Sequence, residues 1–267
     1  MNGTMNEVSF AGPPVRDAIL AGQSLSAANL LQTWEIGERQ FQVEKALTLL
    51  AVAHPDATRE SLATLSIGQR DAALISLREK LFGSQFSSLT DCPACGERLE
   101  LNFNAMDIRA SPAPADMPLL VSQADYELQL RLPNSFDLLQ LSGCANTAEM
   151  RTQLFEQCVV SIAHKGQPGS AERLEDMPAE IVDLAIERMG QADPQADVEV
   201  DLRCPDCRYA WQTGFDIVSY LWSELRAWAM QLLREVHLLA SNYGWAESDI
   251  LSMSNQRRRC YLELLIG

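Results

Sequence analysis

Two Cys-Pro-x-Cys turns, Cys92-Pro-Ala-Cys95 and Cys204-Pro-Asp-Cys207, stand 108 residues apart in a chain of 267 residues. Each knuckle offers two thiolates from one tight turn, in which proline fixes φ and the amides of the turn can donate to sulfur. Four thiolates converging at about 2.3 Å complete a tetrahedral metal site, so the two knuckles read as one centre with Cys92, Cys95, Cys204 and Cys207 as ligands. Zinc suits such a soft set, and iron takes the same four thiolates. Four sulfurs leave no open position for a water, which makes the site structural and not catalytic. The separation far exceeds the usual spacing of about 15 to 20 residues. A shared site therefore requires the intervening chain to leave and return at neighbouring points. Gly96 follows the first knuckle, as such turns prefer, whereas Arg208 follows the second and must take the same turn with strain or give it a modified shape.

Strand-like sequence flanks both knuckles. The period changes at residue 85, and Leu99, Leu101 and Phe103 alternate with Glu100 and Asn102. Val198, Val200 and Leu202 alternate with Glu199 and Asp201, and Tyr209–Phe215 follows the second knuckle. The layout predicts a four-cysteine zinc ribbon split by an insertion, with the ribbon over 85–103 and 198–215 and the inserted α+β module over 104–197. Within the insertion, Ser111–Pro114 reads as a stiff linker. Tyr126, Leu128, Leu130 and Leu132 alternate with polar residues as a strand, pairing with Leu119–Ser122 through a turn at Gln123–Asp125. Pro133-Asn134-Ser135 turns into a short helix ending at Gly143. Asn146, with Glu149 three residues on, caps a helix running to about Ile162, and His164–Ser170 is a loop. Asp176 caps a further helix with Ile181, Val182, Ala185, Ile186 and Met189 inward and Gly190 at its end.

The remaining chain reads as helix, so the fold class is α+β and mostly helical. Residues 1–14 form a loose leader to an N-terminal helical region over 1–84. Leu30, Leu31 and Trp34 make one apolar patch, and Phe41, Val43, Ala46, Leu47, Leu50 and Ala51 make another at helical spacing before His54-Pro55. Ser66 and Gln69 form a capping box ahead of Leu74, Leu77 and Leu81, and Gly83 stops that helix. The C-terminal region, 216–267, holds one long helix and two short ones. Val218, Leu221, Leu225, Trp228, Leu232, Val236, Leu239 and Tyr243 step by three or four, and Trp222, Ala229, Leu233 and Ala240 add a second apolar face. A helix this apolar is buried on two sides or meets a partner.

Charge and motifs restrict the function. A formal net charge of −15 opposes nucleic-acid binding, which needs clustered Lys and Arg against phosphate. Residues 104–197 carry 15 acidic and 6 basic residues, so the insertion is a solvated acidic module or faces a basic partner. The first residues show no basic stretch followed by an apolar run, and a cytoplasmic protein with reduced thiols is expected. Cys144, Cys158 and Cys260 are expected as buried small hydrophobes. His54, His164 and His237 stand alone, and the chain has no glycine-rich phosphate loop, GxSxG or HExxH. Arg257-Arg258-Arg259, the one basic cluster, is expected on an exposed helix face. Trp222, Trp228, Tyr243 and Trp245 are either core or interface anchors, with Trp228 assigned to the core.

A family resemblance adds to these readings. The order Leu65-Ser-Ile-Gly-Gln-Arg-Asp71, Leu77-Arg-Glu-Lys-Leu-Phe-Gly83 and CPACGERLEL resembles the T4-like phage baseplate hub assembly chaperone family. Ala192–Asp197, the second knuckle, Phe215-Asp-Ile, Leu221-Trp222, Leu233–His237, Tyr243-Gly-Trp245, Ile250–Ser254 and Arg258–Leu262 continue the likeness over roughly residues 30–265. The whole looks like the form found in bacterial phage-like contractile injection clusters. The resemblance implies a non-enzymatic assembly factor or structural component of the baseplate hub of a contractile tail. Its implied partners are other baseplate, hub or tape-measure proteins, and it implies either incorporation into a phage-like particle or departure once assembly is done. The residues alone also allow a zinc-ribbon nucleic-acid-binding or regulatory protein, resting on the knuckles and Arg257–Arg259.

Overall fold

The computed structural model describes residues 26–110, 118–123, 125–141, 144, 146–164, 167–168 and 177–266. The expected leader 1–14, the linker Ser111–Pro114, the helix end at Gly143 and the Asp176 cap lie outside these residues, as does most of the loop after His164. The chain mixes helix and sheet, and helix predominates. It divides into two compact units, one of residues 1–56, 74–108 and 199–267, the other of residues 57–73 and 109–198.

In the first unit, Ser26 accepts from the Asn29 amide and starts α1 (Ala27–Gly37). Helix α2 (Gln42–Ala53) buries Ala46, Leu47, Leu49 and Leu50. Both pack on α8 (Ile217–Tyr243), whose start is capped by the Asp216 carboxylate on the Val218 amide. A Cβ on Gly37 would lie 2.2 Å from the Trp222 ring, so only glycine allows this approach of α1 to α8. Phe41, read from its spacing as a core residue, caps α2 from outside and is 82% exposed; Glu44 accepts from its amide instead. The expected long helix forms with those bounds and ends at Gly244, with φ +71°. Its second half packs Leu232, Val236 and Leu239 against Ile250, with α9 (Glu247–Leu251) and α10 (Asn255–Ile266) covering them. Trp228 joins this core, as do Tyr243 and Trp245, which stack at 4.4 Å.

A buried charge fixes the exit from α4 (Ile67–Phe82). Arg78 donates to both oxygens of Glu224 at 2.8 and 2.6 Å, and each side chain is 1% exposed. The same guanidinium donates to the carbonyls of Gly83 and Gln85 at 2.7 and 2.5 Å, which closes the helix end and sets the first residue of β1 (Gln85–Asp91). It lies over the Phe86 ring at 3.9 Å, inside an aromatic cluster with Phe103, Phe215 and Tyr220. The Tyr220 hydroxyl donates to the Ser87 carbonyl and accepts from its amide, both at 3.0 Å. Burial pushes the Glu224 carboxyl above its ordinary range, against the pull of the Arg78 bonds and Tyr220.

The second unit is built on a four-stranded antiparallel sheet, β3 (Leu119–Gln123), β4 (Tyr126–Leu130), β5 (Val159–His164) and β6 (Gln167–Pro168), in that spatial order. The expected hairpin forms, with Leu119 opposite Leu130 and Gln123 opposite Tyr126. Val121, Leu128 and Leu130 pack with Phe155 of α6 (Thr147–Cys158) and with Ile181 and Ala185 of α7 (Ala179–Ala192). Helix α6 stops at Cys158, four residues short of expectation, because Val159, Val160 and Ile162 are β-branched and Val159 and Ile162 pair with β4. Helix α7 runs past Gly190 to Ala192. Asn134 caps α5 (Ser135–Gln140), and Arg131 holds the buried Asp137 bidentately at 2.6 and 2.7 Å. The short helix α3 (Arg59–Ala63) precedes the Ser66–Gln69 capping box, which forms in both directions at 3.0 and 3.1 Å. Asp193 adds a distant carboxylate to that helix start, accepting from the Gly68 amide at 2.9 Å.

Because Glu224 sits above its unfolded value, its contribution to stability is full below about pH 4.3 and shrinks as the pH rises through the folded value. Removing only the acid is the severe change. Glu224→Leu strands the guanidinium and is expected to cost about 3–5 kcal/mol, whereas Arg78→Met/Glu224→Leu removes both charges and costs less than the single substitution. Urea unfolding followed by tryptophan fluorescence reads this cleanly, since all five tryptophans lie in the first unit.

Candidate metal centre

Both knuckles are the tips of two-stranded antiparallel hairpins. Strands β1 and β2 (Arg98–Asn104) pair from Gln85↔Asn104 to Asp91↔Arg98, leaving 92–97 as the tip. Strands β7 (Glu199–Arg203) and β8 (Ala210–Gly214) pair from Glu199↔Gly214 to Arg203↔Ala210, leaving 204–209. The tips repeat each other bond for bond. The Cys92 amide donates to the Glu97 carbonyl at 2.8 Å, and the Gly96 amide to the Cys92 carbonyl at 2.8 Å. In the second tip Cys204 donates to Tyr209 at 2.9 Å and Arg208 to Cys204 at 3.1 Å. Gly96 has φ +76° and Arg208 φ +62°, and Arg208 is the one non-glycine residue with positive φ among the described residues. The strain expected at Arg208 is present, and the turn keeps its shape despite it.

The hairpins bring the four cysteines together. One ligand atom from each lies within 4.8 Å of the others, and among the described residues no other group of three or more His, Cys, Asp or Glu is so placed. The cross-hairpin sulfurs are 3.6 Å apart for Cys92–Cys207 and 3.7 Å for Cys95–Cys204. A disulfide needs about 2.05 Å, whereas sulfurs at 2.3 Å from the centre of a tetrahedron stand about 3.8 Å apart. The donor set and its spacing fit a four-thiolate metal ion. Cys92 and Cys204 are 2% and 1% exposed and pack with Leu99 and Trp211, while Cys95 and Cys207 face outward.

The thiols do not ionise independently. Burial opposes charge on Cys92, but donation from the Cys95 and Ala94 amides and from neighbouring thiols brings it down to about 7. At Cys95 the Glu97 amide favours the thiolate, yet the Cys207 thiol, burial and the other sulfurs push it up to about 12. The Tyr209 amide and the Cys95 thiol draw Cys207 down, and burial with the Cys204 and Cys92 sulfurs leaves it above the ordinary value. Four charges this close need a cation among them, which is the electrostatic demand a divalent metal meets.

The other candidate residues lie elsewhere. His54 ends α2, His164 stacks on Tyr126 at 4.4 Å at the end of the sheet, and His237 is exposed on α8. Cys158 is buried as expected, Cys144 donates to Gln153 at 2.8 Å, and Cys260 is exposed, contrary to expectation. The Arg257–Arg259 cluster is not one face. Arg258 is 3% exposed and bonds Glu235 at 3.2 Å and the Met253 carbonyl at 2.9 Å, because position 258 points from α10 back onto α8. That leaves two exposed arginines and removes the basis for a phosphate-binding patch. Strand β1 carried little signal in the sequence, since Phe86 is its one buried residue.

Residues 27–222 match the family model described as T4 bacteriophage base plate protein. The chain belongs to that family. The matched span takes in both hairpins, all four cysteines and the whole of the second unit. Membership supports a structural component of a phage baseplate, a non-enzymatic role and interaction with other baseplate proteins. No curated protein and no solved structure matches the chain. Among the described residues of this baseplate protein, no helix is long and apolar enough to cross a membrane.

The two tips make a matched test of backbone strain. A Cβ on Gly96 would meet nothing within 4 Å, so Gly96→Ala carries only the conformational cost, about 1 kcal/mol of lost stability. Arg208→Gly is expected to gain up to about the same amount, less the entropy glycine adds to the unfolded chain. Thermal melts of both variants with metal present check the two signs together.

Proposed function

We propose that Cys92, Cys95, Cys204 and Cys207 bind one structural zinc ion and that the chain serves the baseplate hub of a contractile phage tail or phage-like injection system. The 3.6 and 3.7 Å sulfur separations across the two hairpins carry the metal reading. In this reading the hairpins form the halves of a split zinc ribbon, and 104–197 is an acidic module inserted between them. The N-terminal helices and the helical 216–267 region pack around the ribbon. The metal acts as a clasp: it joins two segments that the chain itself holds more than a hundred residues apart. Four thiolates fill the coordination sphere, so zinc performs no chemistry here, and the protein acts as an assembly factor or a structural part. Hub or tape-measure proteins are the partners proposed, met in the host cytoplasm, where thiols stay reduced and free for metal.

Elemental analysis of protein purified without added metal is expected to give one zinc per chain. Iron in its place would keep the clasp and change only its metal. Cys92→Ser and Cys207→Ser are each expected to lose the metal and to lower the melting temperature by roughly 5 °C or more, because metal-binding free energy is also folding free energy. A variant that lost its metal and melted with the wild type would remove the clasp from the fold.

The hub role is tested by co-expression. With a complete set of baseplate genes, the chain is expected to purify with a hub or tape-measure protein in an assembly intermediate. Recovery only as free chain, with intermediates forming equally well in its absence, would overturn the role.

A further inference from the structure

The exposed face of α8 is basic and apolar in a chain of net charge −15. Arg226, Met230, Arg234 and Leu238 recur every fourth residue and all are exposed. Residues spaced by four form a ridge along a helix, the element that packs into the groove of another helix pair. No exposed carboxylate interrupts this ridge, because Glu224 is buried on Arg78 and Glu235 on Arg258. Arg226 approaches Glu38 only at 3.7 Å with both side chains solvated, a contact worth little. Among the described residues Arg234 has no ion pair at all. Met230 and Leu238 are 41% and 47% exposed and, between the two arginines, make the ridge alternately basic and apolar.

The second unit carries the complementary shape and sign. Helices α6 and α7 enclose a cleft of about 250 Å³ with Phe155, Val182 and Ile186 on its floor. Glu156 and Asp183 stand at its rim, with Arg151 as the one base. Along α7, Glu180, Asp183 and Glu187 follow at spacings of three and four and are all exposed. Arg226 and Arg234 stand about 12 Å apart at 1.5 Å per residue, and Glu180 and Glu187 about 10.5 Å, so the two rows of charge match in length.

We propose that the α8 ridge of one copy seats in the α6–α7 cleft of a second copy. Met230 or Leu238 would enter the apolar floor, and Arg226 and Arg234 would face the carboxylates of α7. The two surfaces differ, so the contact is head to tail, and it closes into a ring or continues as a chain of copies. This inference does not depend on the metal reading.

Sedimentation velocity on the full-length protein tests it. The weight-average mass of the wild type is expected to rise above the monomer's 29.6 kDa with concentration at low salt, and to fall back as salt screens the charges. Arg226→Glu/Arg234→Glu keeps the cleft and loses the ridge, while Asp183→Arg/Glu187→Arg keeps the ridge and loses the cleft. Each variant alone is expected to stay monomeric with an unchanged circular dichroism spectrum. Mixed, they should associate again, because the unaltered ridge of one variant meets the unaltered cleft of the other and the two reversed surfaces also carry opposite charge. A wild type that is monomeric up to roughly 200 µM, in the range of weak encounters, would overturn the proposal. So would association that both double variants leave intact. Zinc content should be the same in all three proteins, which separates this outcome from the fate of the clasp.

Discussion

The bidentate pair between Arg78 and Glu224 sets the frame on which the first unit is built. A guanidinium with five donors is the one side chain that can bind a carboxylate and two carbonyls at once, and Arg78 does so while 1% exposed. Its bonds to Gly83 and Gln85 decide where α4 ends and in which direction β1 leaves. Its bond to Glu224 ties that departure to α8. The aromatic cluster of Phe86, Phe103, Phe215 and Tyr220 then encloses the charge and forms the base of the first hairpin. A buried ion pair gains little over an apolar replacement of the same shape. Its effect here is directional, because a leucine in place of Arg78 could fill space but could not aim a strand.

The hairpins show why that direction matters. An isolated two-stranded sheet is marginal in water, and among the described residues neither hairpin pairs with a third strand. The first is anchored at its base by Phe86 and Tyr220, while the second leads directly through Phe215 into α8. Helix α8 thus sits under both, and the knuckles at the far ends come within a tetrahedron's reach of each other. The cysteines finish an arrangement that α4, α8 and the aromatic cluster have already begun. The four cysteines can meet over this distance because the helical frame limits where the two hairpins can be.

The sequence showed those features that follow from local chemistry. The knuckles, the capping box at Ser66, the hairpin of β3 and β4 and the span of α8 each rest on a few neighbouring residues whose preferences agree. Strain at Arg208 was legible for the same reason, since a six-residue tip with a fixed bonding pattern needs positive φ at its fifth position. What was hidden depends on distant partners. Phe41 has the spacing of a core residue, yet among the described residues no element covers it, and it stands 82% exposed at the helix start. Val159 and Ile162 follow a good helix without a breaker, and only their pairing with β4 turns the segment into a strand. Asp193 reads as an ordinary acid after a helix, while its carboxylate reaches an amide 125 residues away. Arg258 sits in a run of three arginines, and the geometry of α10 alone takes it out of solvent.

The burial of Arg258 bears on function as much as on stability. Phosphate recognition needs cations that are free and grouped, whereas this fold buries Arg78 on Glu224 and Arg258 on Glu235 and ties the half-exposed Arg131 to the buried Asp137. Those left on the surface of α8 alternate with apolar side chains, a pattern suited to a protein surface and poorly suited to a nucleic-acid backbone. On the second unit, α7 exposes Glu180, Asp183 and Glu187. Such a surface suits a structural component of a phage baseplate, which meets other baseplate proteins.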